Sequence, residues 1–495
     1  MSNPLKHSIT APLICIVAGI LMALAFPPLA WYPFAIISPA VLLFIWLYST
    51  PHQAMTRGFF FGAGLFSCGM YWVYISLHTF GQAPIALSVL VTIGLVTYLS
   101  LYIGLLGFIL QTLPTKRVVI KCLIAFPVLW VALEWLRGWL FTGLPWLYAG
   151  YTQIDTALRG YAPFLSVYGV SWVVMLTSAF IVCIFISNNI IGKSLSLVGI
   201  VIIWLVGIVL DIQNWTYPIG KPIIATLVQG NTPQFDKWVP EKLPGIIQTY
   251  EKLSYPHWGK SDLIVWPEAA IPAIPENVML TLNTLDQMAE TNNTEFFVGM
   301  PVLNPYTHQY FNAIKALGPK QGEYHKRHLV PFGEFFPGRY LLGWFFNFFH
   351  IAMDDFSPGR ADQPPLWVKD FKVAPYICYE IAFPREIIST IHNANILLTI
   401  TDDSWFGDSA AVYQHLEIAQ MRSLETGRPG LFVSNTGMTA FINADGQIIN
   451  QAKENTQVAL SNEVQPHAGQ TFIMHTGLLP LVIEGGLLMI VALLL

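Results

Sequence analysis

Eight long apolar runs limit what this chain can fold into. Seven lie within its first 212 residues, at 11–26, 31–48, 58–77, 84–110, 118–140, 164–186 and 195–210, and one closes the chain at 472–495. A helix that crosses the hydrocarbon of a bilayer needs about 20 such residues. Residues 1–212 therefore predict seven transmembrane helices and 471–495 an eighth. Charge follows the same division. Of 54 formal charges only eleven precede residue 213: eight Lys or Arg, together with Glu134, Asp155 and Asp211. Residues 213–470 are thus predicted to be a water-facing domain. A net charge of −4 without any basic block excludes a nucleic-acid partner. So many polar residues in one segment exclude a plain transporter bundle.

Orientation follows from the basic residues. Lys6, Arg57, the Lys116/Arg117/Lys121 group and Lys193 fall at the N-terminus and in every second connection, which places the N-terminus inside. Seven crossings then put 213–470 outside, in the periplasm or its equivalent. Lys6, an apolar run and Ala23-Leu24-Ala25 resemble a cleavable signal, but Pro27 and Pro28 crowd the cleavage site, so the first span is expected to stay. Cys15, Cys68, Cys122 and Cys183 lie in predicted spans. Cys378 is the one thiol of the external segment, so no disulfide can form within it, and an unpaired thiol there has to be buried or used.

The external segment alternates strand-like runs (223–228, 263–266, 296–302, 311–317, 373–378, 396–401, 430–434 and 439–442) with helical ones (243–252, 278–292, 384–393 and 411–426). This is an α/β pattern, long enough for one layered domain. Chemistry in such a domain gathers at the carboxyl ends of strands. Three such ends stand out: Trp266-Pro267-Glu268; His325-Lys326-Arg327-His328, running on to Glu334; and Cys378-Tyr379-Glu380. Singly, Glu268 reads as a helix cap, Lys326 as one charge of a solvated loop and Cys378 as a small buried hydrophobe. Together they supply a nucleophile, a carboxylate to take its proton and an ammonium to lower the thiol pKa and hold an oxyanion.

These residues, with Lys326 in the setting HKRHLVPFGE, resemble the Glu-Lys-Cys triad of the nitrilase, or carbon–nitrogen hydrolase, superfamily. Apolar helices before and after the domain, and VQGN at Val228–Asn231 opening it, make the whole chain similar to the apolipoprotein N-acyltransferase family. The resemblance implies a multi-pass helical membrane domain carrying an α-β-β-α sandwich. It also implies a ping-pong acyl transfer with Glu268, Lys326 and Cys378 as catalytic residues. The acyl donor would be a phospholipid, the sn-1 chain of phosphatidylethanolamine, and the acceptor the α-amino group of a diacylated apolipoprotein. Glu334, Glu380 and Tyr379 would support the triad and Trp238 would touch substrate. A chain end inside the last apolar run lacks the basic tail expected of that family.

No cofactor is expected. HExxH is absent, His325 and His328 lack a third ligand, Gly192-Lys193-Ser194 lacks the first glycine of a phosphate loop, and no G-x-S-x-G occurs. A monomer is expected, since one chain carries all three catalytic groups. The alternative is a membrane-tethered amidase passing the acyl group to water, though eight spans are many for a tether. Residues 339–355, rich in Phe and Trp, are expected to form an interfacial arm. Glu134 and Arg137, three apart, are expected to pair, Glu484 has no evident partner, and Asn435 reads as a turn former.

Overall fold

The structure is a computed structural model that describes residues 10–335, 356–391 and 393–494. The expected arm at 339–355 lies outside the described residues. Two compact units are present, one of Met1–Trp215, Phe406–Met421 and Gln470–Leu495, the other of Thr216–Trp405 and Arg422–Gly469.

All eight apolar runs are helical. Ile85–Thr112, Val118–Arg137, Ala157–Ile186 and Ile190–Asp211 are long and apolar enough to cross a membrane, and Pro51–Gly69 with Trp72–Phe80 makes a fifth span if this pair, bent by 51°, counts as one. Thr10–Ala23, Pro33–Leu47 and Leu479–Leu494 are shorter apolar helices. At 1.5 Å per residue they fall short of a hydrocarbon layer of about 30 Å. Proline trims the first two. Pro27 and Pro28 follow one, and the other lies between Pro33 and Pro51, where Thr50 and Gln53 form a capping box that starts the next helix. Helices Thr10–Ala23 and Pro51–Gly69 meet through glycine: a Cβ on Gly19 would run into the Phe61 carbonyl, and one on Gly64 into the Ile16 carbonyl. Helix Ile190–Asp211 exposes Leu195, Leu197, Val201, Ile202 and Leu205, an apolar surface suited to lipid. Glu134 and Arg137 take other direct partners. The carboxylate accepts from Trp130 Nε1 (3.0 Å) and Ala149 N (2.9 Å), while the guanidinium lies over the Phe66 and Tyr148 rings (5.1 and 5.0 Å to the centroids). Glu484 is exposed on the last helix.

The second unit contains strands β1 (Thr216–Pro218), β2 (Ile223–Gln229), β3 (Leu263–Trp266), β4 (Glu295–Leu303), β5 (Tyr310–Leu317), β6 (Gly322–His325), β7 (Leu366–Val368), β8 (Phe371–Ile377), β9 (Ile396–Thr401), β10 (Gly430–Ser434), β11 (Ala440–Ile442), β12 (Ile448–Gln451), β13 (Val458–Val464) and β14 (His467–Gly469). Two six-stranded sheets result, ordered β13-β2-β3-β4-β5-β6 and β12-β11-β10-β9-β8-β7, with β1 and β14 as a separate antiparallel pair. β2, β3 and β4 are parallel, as are β8, β9 and β10. Strand alternation builds the layers. Ile223, Ala225, Leu227, Leu263, Val265 and Phe297 of one sheet share a core with Val373, Ile377, Ile396, Leu398, Ile400, Leu431 and Val433 of the other. The opposite faces of β3 and β4, with Ile264, Trp266, Phe296 and Val298, lie under helices Leu243–Ser254 and Met279–Thr291. Helix Pro384–Thr390 covers the second sheet, with Tyr376 and Thr390 hydroxyls 3.0 Å apart. The unit is thus an α-β-β-α sandwich whose parallel strands present their carboxyl ends along one edge.

Candidate active site

Each residue of the expected triad sits where a strand stops. Pro267 ends β3 and Glu268 follows it. Lys326 directly follows β6, its main-chain N–H bonded to the Asn312 carbonyl of β5 (2.8 Å). Cys378 directly follows β8 and has φ +53°, a left-handed conformation that costs a side-chain-bearing residue free energy and persists only where its surroundings enforce it. Glu380 supplies that enforcement. Fully buried, it accepts from Ile377 N (2.7 Å) on one side of the elbow, from Arg327 N (2.8 Å) on the loop that carries Lys326, and from Tyr324 OH (2.9 Å) on β6 just before it. One carboxylate thereby ties the thiol's turn to the lysine's turn.

Lys326 is 1% exposed, and its Nζ lies 2.9 Å from Glu334 and 3.5 Å from Glu268 Oε1. Asn312 Nδ2 donates to both carboxylates, at 2.7 Å to Glu268 Oε1 and 2.9 Å to Glu334 Oε1. The remaining oxygens are also satisfied: Glu268 Oε2 accepts from Asp402 N (2.9 Å) and Glu334 Oε2 from Val330 N (2.8 Å). Burial draws the Lys326 ammonium down, but Glu334, Glu268 and Cys378 outweigh it and hold the group above the usual lysine range. Burial pushes the Glu268 carboxyl up. Lys326 draws it back, Glu334 and Asp402 push it up again, and it stays above the ordinary carboxylate range. The Cys378 thiol is pushed well above its usual value by burial and by Glu268, while Lys326 and a hydrogen bond with Thr401 draw it down only in part. Lys326 thus lowers the thiol pKa as expected, but burial and Glu268 outweigh it. The resting group is a thiol with a carboxylate and an ammonium beside it, a set that can pass a proton and receive an oxyanion.

Around this set, the Tyr379 ring meets Phe383 edge-on (4.9 Å, 90°) and His328 (5.7 Å, 73°). Trp238 ends the short helix Gln234–Lys237 with about half its surface exposed. Asn435 is more than a turn former. Fully buried, it accepts from Tyr250 OH (2.9 Å) and Thr232 N (3.0 Å) and donates to Thr232 O (2.9 Å) and Asp402 Oδ1 (3.1 Å). Asn312, Lys237, Asp402, Tyr324 and Arg327 also belong to the site and went unread in the sequence. Asp402 carried a signal, as a carboxylate just past an expected strand; Asn312, mid-strand, carried none. Among the described residues no cluster of three or more His, Cys, Asp or Glu is placed to hold a metal ion.

A sandwich with this constellation at its strand ends defines the class: residues 224–472 match the carbon–nitrogen hydrolase family, and residues 18–180 match the apolipoprotein N-acyltransferase N-terminal domain. The apolipoprotein N-acyltransferase of Coxiella burnetii is 41% identical over 470 residues, 95% of this chain and 97% of that protein. That of Methylococcus capsulatus is 37% identical, covering 93% of this chain and 91% of its own length. The chain belongs to the apolipoprotein N-acyltransferase family. Among solved structures, a CN-hydrolase superfamily protein of Xanthomonas campestris, with an arsenic adduct in its active site, is 18% identical over 54% of this chain and 97% of its own, with a TM-score of 0.37.

Proposed function

We propose that the protein is an apolipoprotein N-acyltransferase working by ping-pong chemistry through a thioester on Cys378. Glu268 takes the thiol proton as sulfur attacks an ester carbonyl of a phospholipid, the sn-1 chain of phosphatidylethanolamine. Lys326 carries the charge of the tetrahedral oxyanion. The carbon–oxygen bond breaks, Glu268 returns the proton to the departing oxygen, and a lysophospholipid leaves. In the second half, the α-amino group of an S-diacylglyceryl-cysteine at an apolipoprotein N-terminus attacks the thioester. Glu268 takes a proton from that amine, the carbon–sulfur bond breaks, Cys378 regains its proton, and a triacylated lipoprotein is released.

The whole-chain match to relatives bearing this name carries the reading, because it includes the apolar helices that a soluble amidase would not need. Both substrates have acyl chains that reside in a bilayer, which suits the lipid-facing helices. In the same reading Glu334 holds Lys326 in place, Glu380 and Tyr379 hold the elbow, and Trp238 touches substrate. Residues 1–212 and 471–495 lie in a bacterial inner membrane with the N-terminus cytoplasmic, 213–470 form the periplasmic catalytic domain, and the protein acts as a monomer. The test is intact-protein mass spectrometry after incubation with phosphatidylethanolamine and no acceptor. A hydroxylamine-sensitive gain of one acyl chain, absent in Cys378→Ala, is expected. No adduct with any phospholipid, together with turnover of small amides, overturns the reading in favour of an amidase.

A further inference from the structure

Behind the triad lies a second, nearly dry ion pair. Lys237, 1% exposed, pairs with Asp402, 6% exposed, and both partners also hold Glu268. Lys237 Nζ donates to the Glu268 main-chain carbonyl (3.0 Å), and Asp402 N donates to Glu268 Oε2 (2.9 Å). The residue is thus gripped at its backbone and at its carboxylate by the two members of one pair. Asp402 is itself over-determined, since its Oδ1 accepts from Ser404 Oγ (2.6 Å) and from Asn435 Nδ2 (3.1 Å), and Asn435 is pinned in turn by Tyr250 OH. Four connections after strand ends meet here, those following β2, β3, β9 and β10.

A buried pair of this kind is weak evidence for stability, because desolvating two charges costs several kcal/mol that their attraction only partly repays. Its placement suggests a different use. We infer that Lys237 and Asp402 form a positioning unit for the base, fixing the Glu268 carboxylate and setting the pH at which it ionises. This inference rests on the reading of Glu268 as the proton acceptor. The groups that face Glu268 are Lys326 and Glu334 from the loop after β6, Asn312 from β5, Cys378 from the elbow and Asp402 from the end of β9. Of these, Asp402 is paired with a cation on another element, which offsets part of the repulsion it exerts on Glu268. Removing either half of the pair unbalances the field at Glu268 in a definite direction. Without Lys237, the Asp402 anion is uncompensated and Glu268 becomes harder to ionise. Without the Asp402 charge, that repulsion is gone and Glu268 ionises more readily.

The test measures the rate of acyl-Cys378 formation from phosphatidylethanolamine against pH for wild type, Lys237→Met, Asp402→Asn and the double variant. Loss of the cation is expected to move the acid limb of the profile to higher pH, and loss of the anion to lower pH, each by about one unit. The double variant should return towards the wild-type limb, and Lys237→Arg should keep it. Rates that merely fall, with limbs unmoved or both moved the same way, would overturn the inference and leave the pair a packing element. Should wild type form no adduct, the acyl-transfer reading fails. The ionisation of Glu268 itself, followed by difference infrared spectroscopy as the carboxylate band that is lost in Glu268→Gln, then still decides the inference, because opposed shifts in the two single variants are required there too. Where Lys237→Met does not fold, Asp402→Asn alongside Lys237→Arg decides it: the first must move the limb to lower pH and the second must leave it in place.

Discussion

Because burial and Glu268 push the Cys378 thiol up further than Lys326 draws it down, the proposed nucleophile rests protonated, and the proposed mechanism needs Glu268 to take its proton at the moment of attack. Two predictions belong to these side chains. Alkylation of Cys378 by iodoacetamide should be slow near neutral pH and rise steadily as pH increases through the thiol's raised pKa; rapid, pH-independent labelling would mean a thiolate already formed. Glu268→Gln should slow thioester formation by roughly 10²–10⁴-fold, the usual worth of a general base, while Cys378 stays alkylatable at high pH. The sign of the pH dependence follows from the folded state. Glu268 has a raised pKa, so acylation should switch on as pH rises through a value above the ordinary carboxylate range. Glu380 tests position rather than proton transfer. Glu380→Gln replaces an acceptor of several N–H and O–H groups by a side chain with one acceptor oxygen, leaving buried donors unpaired at about 1–3 kcal/mol each. A lower Tm together with a lost thioester is expected, and unchanged acylation would show that the elbow does not need it.

At the scale of elements, the parts of the fold legible in the sequence are those that two neighbours bury. β3, β9 and β10 run between the same residues as expected from their unbroken apolar runs, and β2, β4, β5 and β8 differ only at their ends. β1, β6, β7, β12, β13 and β14 carry no such signal, since they are short or lie with one side in water and lack that pattern; β13 is mostly half-buried, with Ser461 and Glu463 exposed, and completes one sheet edge beside β2. Glu268 and Cys378 were readable because each abuts a buried strand, and Lys326, which follows the partly exposed β6, through its HKRHLVPFGE setting. The layer behind the triad was not, since Lys237 and Asn435 look like ordinary loop residues until β2, β3, β9 and β10 bring them together. In the helical unit, hydropathy located the long apolar helices but not the length of the first two, which proline trims. Nor does it reveal the close helix crossing at Gly19 and Gly64. Leucine at position 64 would place its Cβ against the Ile16 carbonyl and force the two helices apart. Gly64→Leu should therefore cost about 1–3 kcal/mol, seen as a lower unfolding temperature in detergent, whereas Gly94→Leu, where a Cβ meets nothing within 4 Å, should leave it unchanged.

For the molecule as a whole, the short helices bear on topology in a way that leaves its sign intact. Thr10–Ala23 and Pro33–Leu47 are joined by a tight connection, so as a hairpin they cross together or not at all. Residues 10–212 then make seven or five crossings, counting the bent pair as one, and both numbers are odd. With the bent pair as one span, the proposed topology keeps residue 213 on the side opposite residue 10 in both counts. The basic residues Arg57, Lys116, Arg117, Lys121 and Lys193 all share the side of the N-terminus in both counts, which supports the proposal that this side is cytoplasmic. A cysteine introduced at Lys193, in the first turn of helix Ile190–Asp211, should react with a membrane-impermeant maleimide only after the inner membrane is opened. One at Tyr306, 92% exposed in the catalytic unit, should react in intact spheroplasts, in a background where Cys378 is alanine. Labelling of both positions from one side would require an even number of crossings. If both react only after the membrane is opened, the proposed thioester chemistry would lie on the cytoplasmic face, where an exported lipoprotein's free amine cannot reach it.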